Sequence, residues 1–343
     1  MNSVPNDLIN EIFSRLPSKS IGRFRCVSKL WSSMFQRPYF TELFLTRSSA
    51  RPRLLLAVQR RHPSTEWSFF SLPQPHNPYE NSSSLVVAAE FHMTFPCSFG
   101  FGLCGYAFGL IFSEKEQDIV ICNPNTGQYS VLPKLRTNTS SRIFLGFDPI
   151  DKQFKVLMFM RGPYRYDGDC RILTLGTGEV SWRKIQCPLT HFTLSKGICI
   201  NGALYFSAEM HSENKILCFN VRFAYLPDTR RRTLELRMWV LDDVEKPEWL
   251  KHGYTLLDDK IVDQPYISVA GVTSTGDIVL SRSFYKSFYV FYFNPDRKAL
   301  QSVEIQGIDE HFGSAKFFVD HGENLTLNDA KLLKSSIYVP SVK

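Results

Sequence analysis

Three glycines in the long C-terminal part of the chain, Gly105, Gly202 and Gly276, each lie 18 residues before an asparagine: Asn123, Asn220 and Asn294. An apolar run follows each glycine (YAFGLIF, ALYFSAEM, DIVLSRSF), then a polar turn, then a second apolar run (DIVICNP, KILCFNV, YVFYFNP). Short apolar runs bounded by Gly, Asn and Pro read as strands. A third run, QYSVLP or ALQSVEI, follows in the first and last copies. The Asn-Pro corners at 123–124 and 294–295 are turns with a mechanism, since Pro fixes φ and the Asn side chain bonds back to the backbone. Repetition of one strand-turn-strand unit constrains this part of the chain to a set of small sheets.

A second unit alternates with the first. FDPIDKQFKVLMFM followed by ILTLGTGEVSWRKI, and MWVLDDVEKPEWLKHGYTL, share a strand, an acidic or glycine turn and then a tryptophan, Trp182 or Trp249. Units of about 40–50 residues with up to four strands have the size of a propeller blade. Segments 53–95, 98–135, 142–187, 195–226, 235–260 and 268–306, with the tail left to close the ring, predict five to seven blades. The repeat runs short in one place. Gly105 to Gly202 spans 97 residues and Gly202 to Gly276 only 74, a shortfall of 23 that falls between Asn220 and Met238. One blade is therefore expected to be incomplete. Arg230-Arg231-Arg232 within this region reads as a solvated loop rather than an anion site or localisation signal.

Composition agrees with many short strands: aromatics make up 14% of the 343 residues, beside 19 Gly and 19 Pro. The 43% hydrophobic content excludes disorder as the main state. Apolar stretches such as Leu54 to Val58 and Tyr289 to Phe293 are far too short to cross a bilayer. The N-terminus carries Asp7 and Glu11 and no apolar signal core, so an intracellular protein is expected, nuclear or cytoplasmic, with its eight cysteines reduced. The net charge of +7 is uneven: residues 1–51 hold eight Lys/Arg against three acids (+5), the remainder 32 against 30 (+2). A small basic module precedes a nearly neutral body.

Within that module Leu8/Ile12, Ile9/Phe13 and Ile12/Leu16 stand at i,i+4, the spacing of a helix. Pro5 suits the first helical turn, and Pro17 ends the helix. Ser18 is placed to cap a second helix with Ile21 and Phe24, and a third carries Val27, Leu30, Trp31 and Met34 until Pro38 closes it. Three such short helices bury too little core to stand alone, so a partner is expected to complete them. Nucleic-acid binding through the third helix is a rival reading of Arg23, Arg25 and Lys29, but the charges are sparse and Leu30 and Trp31 interrupt any basic face.

The run VPNDLINEIFSRLPSKSIGRFRCVSKLWSSMFQRPYF, Val4 to Phe40, resembles the F-box family. Pro5, Asp7, Leu8, Glu11, Ile12, Leu16, Pro17, Ser20, Arg23, Val27, Ser28, Lys29 and Trp31 fall in order on the family pattern, with Val4 and Phe13 replacing apolar by apolar. The resemblance implies docking onto the Skp-type adaptor of a cullin-RING ubiquitin ligase. Carried over by position, Pro5, Leu8, Ile9, Ile12, Leu16, Pro17, Ile21, Val27 and Trp31 form or support the apolar docking surface. The segments GLIFSEKEQDIVICNPNTGQYSVLPKLR, FLGFDPIDKQFKVL, ILTLGTGEVSWRKI, GICINGALYF and MWVLDDVEKPEW resemble the type 3 F-box-associated domain of plant F-box proteins, a propeller-like module taken to recruit substrates. The expected fold is α+β multidomain: a three-helix F-box over 1–48, an all-β propeller-like domain over 49–320 with one incomplete blade, and a tail over 321–343 available to close the last blade. The implied role is a non-catalytic substrate adaptor of an SCF-type ligase, bringing an unknown protein substrate to the cullin complex with no cofactor, nucleic acid or membrane involved.

Enzyme chemistry finds no purchase. His62, His76, His92, His191, His211, His252, His311 and His321 are scattered without metal-ligand spacing, and no Cys pair, GxSxG elbow or Walker loop occurs. Gly176-Thr177-Gly178 reads as a hairpin tip, and Asp242, Asp243 and Glu245 as a solvated turn. Phe284, Tyr285, Phe288, Tyr289, Phe291, Tyr292 and Phe293 crowd one stretch; an unpaired strand this apolar would aggregate, so most are expected between blades, with only Tyr285 and Lys286 near a ligand face. The rival roles are a binding propeller, lectin or scaffold, whose F-box serves no ligase; a catalytic propeller; and a degenerate copy that folds poorly.

Overall fold

The computed structural model of the protein describes residues 5–60, 66–75, 77–79, 85–96, 103–115, 118–135, 141–148, 150–160, 169–175, 181–185, 198–200, 203–205, 217–225, 232–241, 249–256, 261, 267–282, 288–308 and 312–325. Four helices come first: α1 (Asn6–Phe13), α2 (Ser18–Val27), α3 (Lys29–Phe35) and α4 (Pro38–Ser49). The sequence predicts three. Pro38, expected to close the third helix, instead opens the fourth, because at the first helical position its missing N–H is no loss and its fixed φ is already helical. Phe40 and Phe44, one turn apart on α4, join Phe13, Ile21, Met34 and Phe35 in one buried cluster. Phe13 meets Phe24 and Phe35 edge to face, each at 4.9 Å, an arrangement that favours aromatic pairs over stacking face to face.

Six sheets follow among the described residues. Blade 1 holds β1 (Arg53–Arg60), β2 (Glu66–Pro73) and β4 (Glu90–Pro96), and is joined on its β1 edge by the last strand, β22 (Phe312–His321). Blade 2 is β5 (Leu103–Ala107), β6 (Leu110–Lys115), β7 (Asp118–Asn123) and β8 (Gln128–Val131). Blade 3 is β9 (Ser141–Asp148), β10 (Gln153–Met160), β11 (Asp169–Thr174) and β12 (Arg183–Ile185). Blade 4 holds β13 (Ile198–Ile200) and β14 (Ala203–Tyr205), and blade 5 holds β15 (Leu217–Tyr225), β16 (Arg232–Leu241) and β17 (Trp249–Leu256). Blade 6 is β18 (Ile267–Val272), β19 (Ile278–Arg282), β20 (Phe288–Asn294) and β21 (Ala299–Gln306), with β3 (Leu85–Ala88) added parallel to β21.

Alternation along each strand sends successive side chains to opposite neighbours. On β1, Leu54, Leu56 and Val58 pack against blade 6, while Leu55 and Ala57 pack against Ile111 and Val120 of blade 2. On β20, Phe288, Val290 and Tyr292 face blade 1, and Phe291 and Phe293 face Leu234 and Leu236 of blade 5. Phe288, Phe291, Tyr292 and Phe293 of the aromatic run are thus interior and Tyr289 partly so, while Phe284, Tyr285 and Lys286 lie outside the described residues.

The corner chemistry is as expected. Asn123 Oδ1 accepts from the Asn125 N–H at 3.0 Å and Asn294 Oδ1 from the Arg297 N–H at 2.9 Å. Asp148 does the same before β10, accepting from Ile150 and Asp151. The glycine alignment needs correction. Gly105 lies inside β5, where an added Cβ would fall 2.3 Å from the ring of Phe112; the turn glycine corresponding to Gly276 (φ +87°) is Gly109 (φ +88°). The equal spacing arises because the β19–β20 connection is longer than the β6–β7 one.

The middle copy departs further. Asn220 is not a corner but lies within β15, opposite Arg237 of β16 in one continuous hairpin, and Arg232 is a strand residue paired with Tyr225. Among the described residues, this region forms a two-stranded and a three-stranded sheet. Gly176, Gly178, Arg230, Arg231, Asp242, Asp243 and Glu245 lie outside the described residues.

A buried histidine sits at the ring closure. His321 lies 3.0 Å from the Tyr106 hydroxyl and 3.1 Å from Asn125 Nδ2. Burial, then the charges of His92 and Arg53, lower its pKa to about 3; burial, then Arg53 and Lys19, lower that of His92 to about 4. Both rings are neutral in the folded protein, whereas histidines of the unfolded chain take up protons near pH 6.5. The folded state then binds fewer protons, so stability is full above about pH 6.5 and falls as the pH drops towards 4, before most carboxylates titrate. Urea midpoints measured across this window are expected to fall steadily, and to fall less in His321→Gln; a flat profile contradicts the assignment.

Candidate functional site

The helical module buries one set of apolar side chains and displays another. On α1, Phe13 is in the core and Ile9 packs against it, while Leu8 and Ile12, one turn apart, are 55% and 57% exposed. Val27 ends α2 and Leu30 opens α3, at 70% and 67% exposure, on either side of the extended Ser28 (φ −145°, ψ 130°). These large apolar side chains are left open beside a packed phenylalanine cluster, and Tyr39 of α4 is exposed as well.

The nine residues expected at the docking surface divide by depth. Pro5, Leu8, Ile12, Pro17 and Val27 are exposed. Ile21 is fully buried, and Ile9, Leu16 and Trp31 are partly buried against the same cluster, Trp31 edge-on to Phe13 at 5.2 Å and to Phe24 at 5.5 Å. The second group shapes the first from beneath. Leu30, placed on the third helix by its spacing to Met34 but not among these nine, belongs with the exposed set. Glu11 ties α1 to α4, accepting from Arg15 at 2.6 Å and from Arg47, and these hydrogen bonds and charges lower its carboxyl pKa.

Beyond β22 the chain returns to the helices. The Ser18 backbone N–H donates to Glu323 Oε2 at 2.6 Å, and the Glu323 N–H donates to Ser48 Oγ at 2.6 Å. Ser18 is the first residue of α2 and makes no side-chain cap; Pro17 before it has none to offer, and the first turn contains no acid. A carboxylate at a helix N-terminus satisfies an orphan donor and the dipole together. Burial raises the Glu323 pKa, and the Ser18 N–H partly opposes that. Leu325 completes the phenylalanine cluster, and Lys152 of the β9–β10 turn reaches Glu42 of α4 at 2.6 Å. Arg15, Arg51, Arg53 and Glu323 line a cleft of about 310 Å³ where helices and blade 1 meet. Among the described residues no group of three or more His, Cys, Asp or Glu converges as metal ligands, and no helix is long and apolar enough to cross a membrane.

The chain thus combines a helical module that leaves an apolar face uncovered with a propeller-like β domain. Residues 1–43 match the F-box domain, and residues 53–230 and 222–325 match the F-box associated beta propeller domain. An F-box protein of Arabidopsis thaliana is 47% identical over 98% of this chain and 94% of its own length; another is 43% identical over 98% and 86%. The chain belongs to the plant F-box proteins that carry this associated propeller domain. The match to the propeller family breaks at 222–230, inside the β15–β16 hairpin. The first relative aligns over 388 positions against a chain of 343, so it holds at least 45 residues that this chain lacks.

The division by depth predicts different costs. Ile21→Ala is expected to lower the unfolding free energy by about 2–5 kcal/mol, as for a buried aliphatic side chain, and Leu8→Ala by about 0.5 kcal/mol or less. Urea denaturation of the two variants checks it; equal losses would contradict the assigned depths.

Proposed function

We propose that this protein is a substrate-recognition adaptor of an SCF-type cullin-RING ubiquitin ligase. The F-box docks a Skp-type adaptor, and through it a cullin, while the propeller recruits a protein substrate. The observation that carries this reading is the exposed set Leu8, Ile12, Val27 and Leu30, large apolar side chains on three helices that the chain's own fold leaves uncovered. Exposed apolar clusters mark protein-protein contact. Pro5 and Pro17 are exposed as well, and Ile9, Leu16, Ile21 and Trp31 pack in the cluster beneath.

In this reading the protein is not itself an enzyme. Its contribution is positional: holding substrate near a charged conjugating enzyme turns a bimolecular encounter into an effectively intramolecular one at raised local concentration. The family membership and the paired docking and propeller modules support this role.

The double variant Leu8→Ala/Ile12→Ala is expected to weaken binding to purified Skp-type adaptor by about 2 kcal/mol, roughly thirtyfold, with unchanged thermal stability. Calorimetric titration showing undiminished affinity would remove the docking assignment. The 23-residue shortfall between Asn220 and Met238 favours a second reading, a degenerate copy whose propeller no longer folds cooperatively. A single cooperative thermal transition of the full chain, seen alike in far- and near-ultraviolet circular dichroism, would dismiss it.

A further inference from the structure

The docking face rests on α2, and α2 has no cap of its own. Pro17 carries no acceptor side chain, the first turn is without an acid, and the leading N–H is satisfied by Glu323 from the far end of the chain. Ser18 is 2% and Glu323 8% exposed, so loss of that acceptor leaves a buried amide without a partner.

Extended alternation makes the short segment after β22 face two ways. Glu323 and Leu325 turn to the helices, Leu325 being the one residue of the phenylalanine cluster, among those described, that comes from outside the N-terminal module. Asn324, fully buried, turns to blade 2: its Nδ2 donates to the Phe108 carbonyl at 2.9 Å, and its own carbonyl accepts from Asn123 Nδ2 at 2.7 Å. Gly322 packs beside Ser49, where a Cβ would approach Oγ to 3.3 Å. The residue immediately before this strap, His321, is paired with Arg53 in the strand contact that closes the ring.

Resting on the adaptor-docking reading, we propose that Glu323 and Leu325 are positioning residues of that face: the Gly322–Leu325 strap sets α2, and with it Val27, only once β22 has closed the propeller. Adaptor binding is then conditional on a completed ring. A chain that stalls or opens before its last strand pairs does not present a competent F-box. A simple tether between two independent domains would instead leave the helices indifferent to the state of β22.

The test uses the full chain, with hydrogen exchange read at residues 18–21 and at β10, and with titration of purified Skp-type adaptor. Glu323→Ala and Leu325→Ala are expected to speed exchange at 18–21 at least tenfold and to weaken the adaptor about fivefold while β10 keeps its protection. Glu323→Gln, which retains an acceptor for the Ser18 N–H, is expected to stay close to the parent. Phe317→Ala, on β22 and packed between blades rather than on the helices, is expected to expose 18–21 as well. If Phe317→Ala unfolds the whole chain, Phe317→Leu gives the milder perturbation. Unchanged exchange at 18–21 in Glu323→Ala or in the Phe317 variant overturns the proposal. Failure of the parent chain to bind the adaptor removes the docking reading alone, and the exchange results still decide whether the strap sets α2.

Discussion

β22 pairs with β1 from Arg53↔His321 to Arg60↔Phe312, antiparallel and with a register shift near each end. This one contact joins the end of the described chain to the start of its β domain. It also completes the apolar layers on both sides of blade 1, since Ala315 and Phe317 enter the layer shared with blade 6. Without β22, β1 would be an edge strand with unpaired backbone groups and a flank of exposed Leu and Val, an arrangement that invites aggregation. The closure is entropically costly because it joins distant parts of the chain, and it is repaid only when the intervening blades have packed.

The same closure organises the polar end of the ring. Asp320, at a positive φ of 50°, accepts from Gln74 Nε2 at 2.6 Å and from the Ser274 N–H at 2.6 Å. His321 engages Tyr106 and Asn125, and Asn324 engages blade 2. Asp320 and His321 therefore reach blades 1, 6 and 2 just before Glu323 reaches the helices, and Asn324 returns to blade 2 between Glu323 and Leu325. Each bond is modest alone, but His321, Asn125 and Asn324 are buried, so breaking their part of the network leaves polar groups without water to replace the lost partner.

Local periodicity made the helices and most strands legible. The i,i+4 pairs placed α1, and the Asn-Pro corners placed the ends of β7 and β20. What sequence could not supply was long-range. Nothing in α2 itself announces that a residue at position 323 caps it, and nothing in Pro38 separates a helix stop from a helix start without the Phe40/Phe44 pair beneath it. The repeat arithmetic grouped the run ending at Asn220 with the apolar run before it, whereas β15 pairs with β16 of the following unit and Asn220 sits inside that hairpin. Among the docking residues, spacing alone could not tell Ile21 from Leu8; depth is decided by which face the phenylalanine cluster claims.

The break in the family match has a consequence for the junction with the helices. It falls at 222–230, inside the β15–β16 hairpin of blade 5. The strap that reaches the helices is held elsewhere, by Asn123 and the Phe108 carbonyl of blade 2. Blade 5 makes none of the contacts described with the F-box. A change of length in that hairpin therefore leaves the strap and the cap on α2 in place, so the junction does not dictate how long that part of the ring must be.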